Sequence, residues 1–293
     1  MSEQNRYGII GAGAIGQALG ASLRRAEKEV LFWDRDPSKS GVEDLTQLAK
    51  NTHAIILAIP SAGVRDVLGK LRRSLGENTH TVLTVAKGVE TGFVTMDAVL
   101  QDELGKECAV GVLCGPMLAG ELIANEGGYG TLATNAPQPH IIADFKAGGL
   151  SLQPSRELRA VAVCSVLKNI YALGLGVADS LDVGMNTKAA LTSRMLAEIQ
   201  LILAHLQLPT AVALQYCGLG DLLATGWGEA SYNHHVGEQI GESSLAQPSG
   251  EGYNALMEIS AVLELSNFPI IASLNHVIIN KAPADELLDA LKR

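Results

Sequence analysis

Residues Gly11-Ala12-Gly13-Ala14-Ile15-Gly16 constrain this chain more than any other stretch. They follow a short apolar run, Tyr7 to Ile10, and lead into a helical pattern, Ile15 to Arg25. Glycines at this spacing have separate duties. The first permits a tight turn out of a strand, the second lets backbone approach a pyrophosphate, and the third lets helix and strand pack closely. The helix that follows offers unpaired N–H groups and the positive end of its dipole to an anion. A second apolar run, Val30 to Trp33, ends in Asp34, about the distance downstream (~20 residues) at which an acidic residue meets the ribose of a bound dinucleotide.

The runs Ala54 to Ile59, Thr81 to Val85 and Ala109 to Cys114 repeat this short, wholly apolar signature between helical segments. Strands of that kind are buried on both faces, which predicts an α/β Rossmann-type N-terminal domain with a mostly parallel sheet. The pattern changes near Gln153-Pro154-Ser155. Beyond it Arg159 to Ser180, Thr187 to Leu206, Glu251 to Leu265 and Pro269 to Ile279 read as helices, and Ala284 to Leu291 as a short terminal one. Residues 1–155 are expected to form the dinucleotide-binding domain and 156–293 an all-α substrate-binding and catalytic domain, lengths that suit a chain of 293 residues.

Net charge is −9, a poor match to nucleic acid or an anionic membrane, so a small-molecule ligand is expected and an anionic one must be held by local groups. Cys108, Cys114, Cys164 and Cys217 fit no metal or redox spacing and read as buried thiols in a reducing compartment. No signal peptide is evident, and the longest apolar stretch is interrupted by Lys168 and Asn169, so a cytoplasmic protein is expected.

Several polar residues stand where chemistry could use them. Asp34 as a ribose acceptor favours NAD, whereas Arg35 beside it could pair with the 2′-phosphate of NADP or simply be solvated. Pro60 and Lys87 follow the third and fourth strands, on the edge where open parallel sheets bind ligands. Lys168 and Asn169 interrupt an otherwise apolar helix. Burying an ammonium there costs several kcal/mol or removes its proton, so Lys168 is either a general acid with a lowered pKa or a lysine that snorkels to the surface. Asp221 in Gly218 to Gly226 is either its counter-ion, with Thr225 one turn further on, or a helix cap. The adjacent His234 and His235 point different ways on a helix, and no metal site is expected.

The chain resembles the NAD(P)-dependent glycerol-3-phosphate dehydrogenases over nearly its whole length. The matching segments are the glycine loop, Pro60 to Leu68, Lys87-Gly88, Gly115-Pro116, Ala119-Gly120-Glu121, Leu167-Lys168-Asn169 through Arg194, Gly218 to Thr225, Asn233 and Glu251-Gly252. The resemblance implies hydride exchange between NAD(P)H and dihydroxyacetone phosphate, giving sn-glycerol 3-phosphate, and a homodimer. It implies that Lys168 donates and accepts the proton, with Lys87 and Asp221 as its catalytic companions. Gly115, Met117, Asn169, Thr225, Ser231, Tyr232 and Asn233, again with Lys87, would bind substrate. Gly11, Gly13, Ala14, Ile15, Gly16, Asp34, Arg35, Pro60, Lys87, Ala119 and Glu251 would bind cofactor.

Three departures bear on the substrate. The family has an arginine, paired with the substrate phosphate, immediately before the asparagine matched to Asn233; here it is Tyr232. Met117-Leu118 replace a small polar residue and an aromatic, and the stretch from Asp36 to Leu45 is short. Two other readings follow: a dehydrogenase of the same architecture acting on another small carbonyl compound, or a dinucleotide-binding sensor without turnover. A sensor has no need of the proton donor that Lys168 would be.

Overall fold

The computed structural model describes residues 6–75, 80–105, 108–228, 231–245 and 247–291. The chain divides into two compact units, Met1–Ala86 with Met96–Val161, and Lys87–Thr95 with Ala162–Arg293.

In the first unit, elements run in the order β1 (Arg6–Ile10), α1 (Ala14–Arg25), β2 (Glu29–Trp33), α2 (Leu45–Lys50), β3 (Ala54–Leu57), α3 (Val64–Leu71) and β4 (Thr81–Thr84). The hairpin strands β5 (Val89–Glu90) and β6 (Val94–Thr95) come next and belong to the second unit. The first unit resumes with α4 (Met96–Leu104), β7 (Ala109–Cys114), α5 (Ala119–Ala124), β8 (Tyr129–Thr134), α6 (Pro139–Ala147) and β9 (Ser151–Ser155). Its sheet has seven strands in the order β2-β1-β3-β4-β7-β8-β9. Every pairing is parallel except β7 with β8. This is the Rossmann-type sheet expected from the sequence.

The central strands are covered on both faces, and all four residues of β3 are buried. Tyr7, Ile9, Leu19, Leu23, Ile56 and Phe145 are among the residues of the cluster that fills the space between sheet and helices. The amphipathic α1 buries Ala18, Leu19 and Leu23 and exposes polar residues on its other side, which seats its N-terminus directly after β1. Strands β8 and β9 gave no signal in the sequence. β8 reads Tyr-Gly-Thr-Leu-Ala-Thr, with little apolar character, and β9 is an edge strand carrying Pro154, which central strands exclude.

The second unit holds, besides the hairpin, most of α7 (Leu158–Ser180), then α8 (Met185–His205), α9 (Asp221–Gly226), α10 (Tyr232–Gly241), α11 (Glu251–Val262) and α12 (Pro269–Leu274). Helix α7 is apolar all round, with a mean hydropathy of 1.7 in its most apolar window. By length and composition it could cross a membrane, yet that window is wholly buried within the protein, as expected of a core helix. The helix expected over Pro269 to Ile279 is α12 followed by a wide π turn, Asn275–Ile279, and the terminal segment Ala284–Leu291 is 3-10 rather than α-helical.

A buried carboxylate on α8 fixes α12. Glu198 is 2% exposed and accepts hydrogen bonds from Ile270 N at 2.7 Å, Ile271 N at 2.8 Å and the Tyr171 hydroxyl at 3.1 Å. Phe268, the N-cap residue of α12, makes no side-chain cap, so Glu198 satisfies the helix's first N–H groups from outside. Burial raises the Glu198 pKa, opposed by those hydrogen bonds. Glu198→Ala orphans three donors and is expected to lower the unfolding free energy by about 2–4 kcal/mol in urea titrations. A loss below about 0.5 kcal/mol would remove this structural role.

Candidate active site

In the first unit the sequence-predicted cofactor residues gather at the carboxyl edge of the parallel strands. Gly11 has φ +102°, and an added Cβ would collide with the Ala58 carbonyl oxygen. A Cβ on Gly16 would run into the carbonyl of Gly11, so these two positions enforce the turn and the close strand–helix approach. A Cβ on Gly13 would meet nothing within 4 Å. That is the open space a pyrophosphate needs against the backbone, and Gly13 is also the N-cap of α1, with Ala14 and Ile15 opening its first turn. The residues present therefore fit a dinucleotide.

Asp34, just past β2, accepts a hydrogen bond from Ala12 N at 2.8 Å and another from Asp36 N at 2.9 Å. These bonds lower its pKa and keep it ionised beside the loop. Asp34 thus braces the glycine loop, a duty the sequence did not show, and a carboxylate keeps acceptor capacity for a ribose hydroxyl. Arg35 and Pro60 are exposed, and Ala119 opens α5. Gly115 has φ +143° and packs against the backbone of Tyr129 and Gly130, a structural requirement of the β7–β8 connection. Met117, expected at the substrate, is 8% exposed and belongs to the apolar core cluster. Its side chain packs in the first unit's interior.

The second unit brings together the residues expected to carry the chemistry. Lys168 lies in the middle of α7 and is 5% exposed, so its ammonium does not snorkel out. It donates to Thr225 Oγ1 at 2.8 Å and pairs with Asp221 Oδ1 at 3.1 Å. Thr225 in turn donates to Asp221 Oδ1 at 3.2 Å. Lys87 pairs with the other oxygen, Oδ2, at 2.5 Å. One carboxylate therefore holds two ammonium groups. Asp221 is the first residue of α9 and binds these lysines instead of capping its helix. The Asn169 amide donates to the Lys87 carbonyl at 3.4 Å, and Gly92 N in the β5–β6 turn donates to Glu258 at 2.7 Å. Both bonds hold the hairpin segment that begins at Lys87.

The electrostatics follow from this packing. Burial pulls the Lys168 pKa down to about 8; Asp221 opposes the fall and Lys87 adds to it. Burial alone would raise Asp221, but Lys168 and Lys87 hold it below the usual carboxylate range. A buried lysine with its pKa lowered toward neutrality, held on a fixed acceptor–donor frame, has the properties that proton transfer requires.

At the start of α10, Ser231 caps the helix by accepting from His234 N at 3.3 Å. Asn233 accepts from Gly252 N at 3.1 Å. Tyr232 is 61% exposed, its hydroxyl 3.3 Å from Ser249 Oγ. Glu251 opens α11, and its charge reaches Lys168. Asp179 lies in the family-like stretch through Arg194, where sequence reasoning assigned it no role; it sits 2.7 Å from His234 Nε2 and 2.7 Å from Lys188 Nζ. Asp179, His234 and Glu238 present ligand atoms within 4.8 Å of one another. Asp179 faces Nε2 and Glu238 faces Nδ1, on different sides of the ring, and Lys188 shares the Asp179 oxygen, so the three do not converge on one metal ion.

A glycine loop shaped for a pyrophosphate and a buried lysine with a lowered pKa are parts that a dinucleotide-dependent oxidoreductase uses. Two family models match. Residues 39–139 fit the NAD-dependent glycerol-3-phosphate dehydrogenase N-terminus and residues 157–289 its C-terminus. A glycerol-3-phosphate dehydrogenase [NAD(P)+] of a Thermoanaerobacter species is 30% identical over 284 residues, covering 88% of this chain and 83% of the relative. One from Pseudomonas paraeruginosa is 26% identical over 327 residues, covering 100% and 96%. The crystal structure of glycerol-3-phosphate dehydrogenase from Coxiella burnetii superimposes with a TM-score of 0.87 over all of both chains at 22% identity, a likeness of fold. This chain belongs to the family of NAD(P)-dependent glycerol-3-phosphate dehydrogenases.

Proposed function

We propose that this chain interconverts dihydroxyacetone phosphate and sn-glycerol 3-phosphate, using NAD(H), with Lys168 as general acid and base. The observation that carries the reading is the buried Lys168 ammonium, held by Asp221 and Thr225 with its pKa pulled to about 8. A reduced nicotinamide dinucleotide held by the glycine loop would supply the hydride that the carbonyl carbon takes up. Lys168 gives its proton to the carbonyl oxygen as negative charge develops there, and takes it back in the reverse direction. Asp221 and Thr225 fix the ammonium so that no reorganisation is needed at that moment. Lys87 lends a second positive charge beside the developing alkoxide. Asn169 and Asn233 orient the substrate, and Ser231 and Tyr232 flank its far end. Gly11, Gly13, Ala14, Ile15, Gly16, Asp34, Pro60 and Ala119 serve the dinucleotide, with Glu251 at its nicotinamide end. In this reading the first unit, Met1–Ala86 with Met96–Val161, is the cofactor domain, and the second, Lys87–Thr95 with Ala162–Arg293, is the substrate domain. Asp34 favours NAD, and Arg35 leaves NADP usable. The same reading has the chain work in the cytoplasm as a homodimer, with no nucleic-acid or membrane partner.

The Lys168 pKa sets opposite pH dependences for the two directions. Reduction needs the protonated lysine, so kcat/KM for the ketone is expected to fall as pH rises through about 8. Oxidation needs the neutral amine, so kcat/KM for the alcohol rises through the same value. Two profiles flat across that range would remove Lys168 from proton transfer. The function itself is tested by incubating the chain with sn-glycerol 3-phosphate and NAD+. NADH should appear with the phosphate ester and not with glycerol; no NADH at any pH would contradict the assignment.

Tyr232 favours a second reading, a substrate without a phosphate. A phenol cannot make the bidentate, charge-assisted bond that an arginine makes. His234 and His235 both face carboxylates, Asp179 and Glu238 respectively, so neither is an obvious replacement. Tyr232→Arg is expected to lower the KM for dihydroxyacetone phosphate about tenfold, as read from initial rates. An unchanged KM would separate position 232 from the substrate's phosphate.

A further inference from the structure

Asn233 lies close to Asn169, the residue after Lys168 on α7, through one glycine. A Cβ on Gly252 would come within 2.6 Å of the Asn169 carbonyl and 2.8 Å of Asn233 Oδ1, so Gly252 is packed against both. The first turn of α10 must therefore be held accurately if Asn233 is to serve a substrate at Lys168.

Two glycines let α10 rest on α7. A Cβ on Gly176 would collide with the His234 carbonyl, and a Cβ on Gly237 with that of Leu173. Asp179 stands on α7 nearly one turn beyond Gly176. Its carboxylate meets His234 Nε2 at 2.7 Å, and His234 is 6% exposed. Lys188, from the start of α8, pairs with the same Asp179 oxygen at 2.7 Å, and its ammonium lies 5.3 Å from the centroid of the Trp227 ring. Glu238 stands 3.9 Å from His234 Nδ1, so the imidazole is flanked on both sides. His234 directly follows Asn233 and itself closes the Ser231 cap.

We infer that Asp179 is a positioning residue for the substrate. Anchored by Lys188, it grips His234 and thereby sets the place of Asn233, without touching substrate itself. The inference rests on the functional reading above.

A double-mutant cycle tests it, with Asp179→Asn and His234→Gln made singly and together. KM and kcat for dihydroxyacetone phosphate, NADH affinity and melting temperature are read for each. Each single change is expected to raise KM about tenfold while kcat and NADH affinity stay within about twofold, and the double should be no worse than the poorer single. A merely structural role would lower the melting temperature and leave KM at the wild-type value. Unmoved KM, an equal fall in kcat and kcat/KM, or additive effects would overturn the inference. Should Asp179→Asn fail to fold, His234→Gln alone decides by the same split of KM from kcat. Wild-type turnover is read first in the same assay. Its absence overturns the functional reading and this inference with it, whereas wild-type turnover with unmoved variants overturns the inference alone.

Discussion

Lys168→Ala is expected to lower kcat for carbonyl reduction by about two to four orders of magnitude, with the dissociation constant for NADH unchanged within about twofold. The substitution removes the buried ammonium and leaves the glycine loop of the first unit untouched. It also leaves Asp221 with Lys87 at 2.5 Å, so the carboxylate keeps a partner and the fold keeps most of its stability. The loss should therefore appear in kcat rather than in soluble yield. Fluorescence titration with NADH and steady-state rates separate the two quantities. Retention of more than about a tenth of the wild-type kcat would mean that water or another side chain supplies the proton.

Asp221→Ala should be more damaging to the protein as a whole. Lys168 and Lys87 both depend on that carboxylate, and Lys168 is almost fully buried. Without Asp221 the buried Lys168 ammonium keeps the Thr225 hydroxyl but loses the carboxylate that lies 3.1 Å from it. Removing one partner of a buried ionic group costs about 3–5 kcal/mol, because an uncompensated charge remains. Part of that cost is avoided if Lys168 loses its proton, which its already lowered pKa makes easy. The expected result is a clear drop in melting temperature together with loss of reductase activity at neutral pH. A variant as stable as the wild type and still active would show that the lysines are held by something other than Asp221.

The features legible in the sequence depend on local pattern. The glycine loop, its flanking strand and helix, and the acidic end of the second strand all lie within residues 7–34, where spacing alone reports geometry. Lys168 was visible because a charge in an apolar helix needs a partner, and Asp221 was visible as a carboxylate in a polar island. What could not be read were pairings over long separations. Asp179 and His234 lie 55 positions apart, and Glu198 reaches donors 72 and 73 positions away. On α8 Glu198 looks like any solvated helix carboxylate until the helix it caps is in place. The grouping of residues 87–95 with the second unit is likewise a tertiary fact, fixed by Lys87 on Asp221 and Gly92 on Glu258. Met117 shows the reverse case. Its neighbours Gly115 and Pro116 match the family, but its side chain has gone into the core.

The bracing of the glycine loop by Asp34 was hidden for a related reason. Its position after β2 pointed outward to a ribose, while the bond it makes runs back to Ala12 within its own unit. Both uses fit one carboxylate, since two oxygens can accept from backbone and ligand together.

The central claim is that this chain is a dihydroxyacetone phosphate reductase driven by a lysine acid. It is tested most directly by the initial rate of NADH oxidation when dihydroxyacetone phosphate is added to the purified chain near neutral pH. Steady, substrate-dependent oxidation that is abolished by Lys168→Ala is the expected result. Intact NADH binding with no oxidation above background would contradict it.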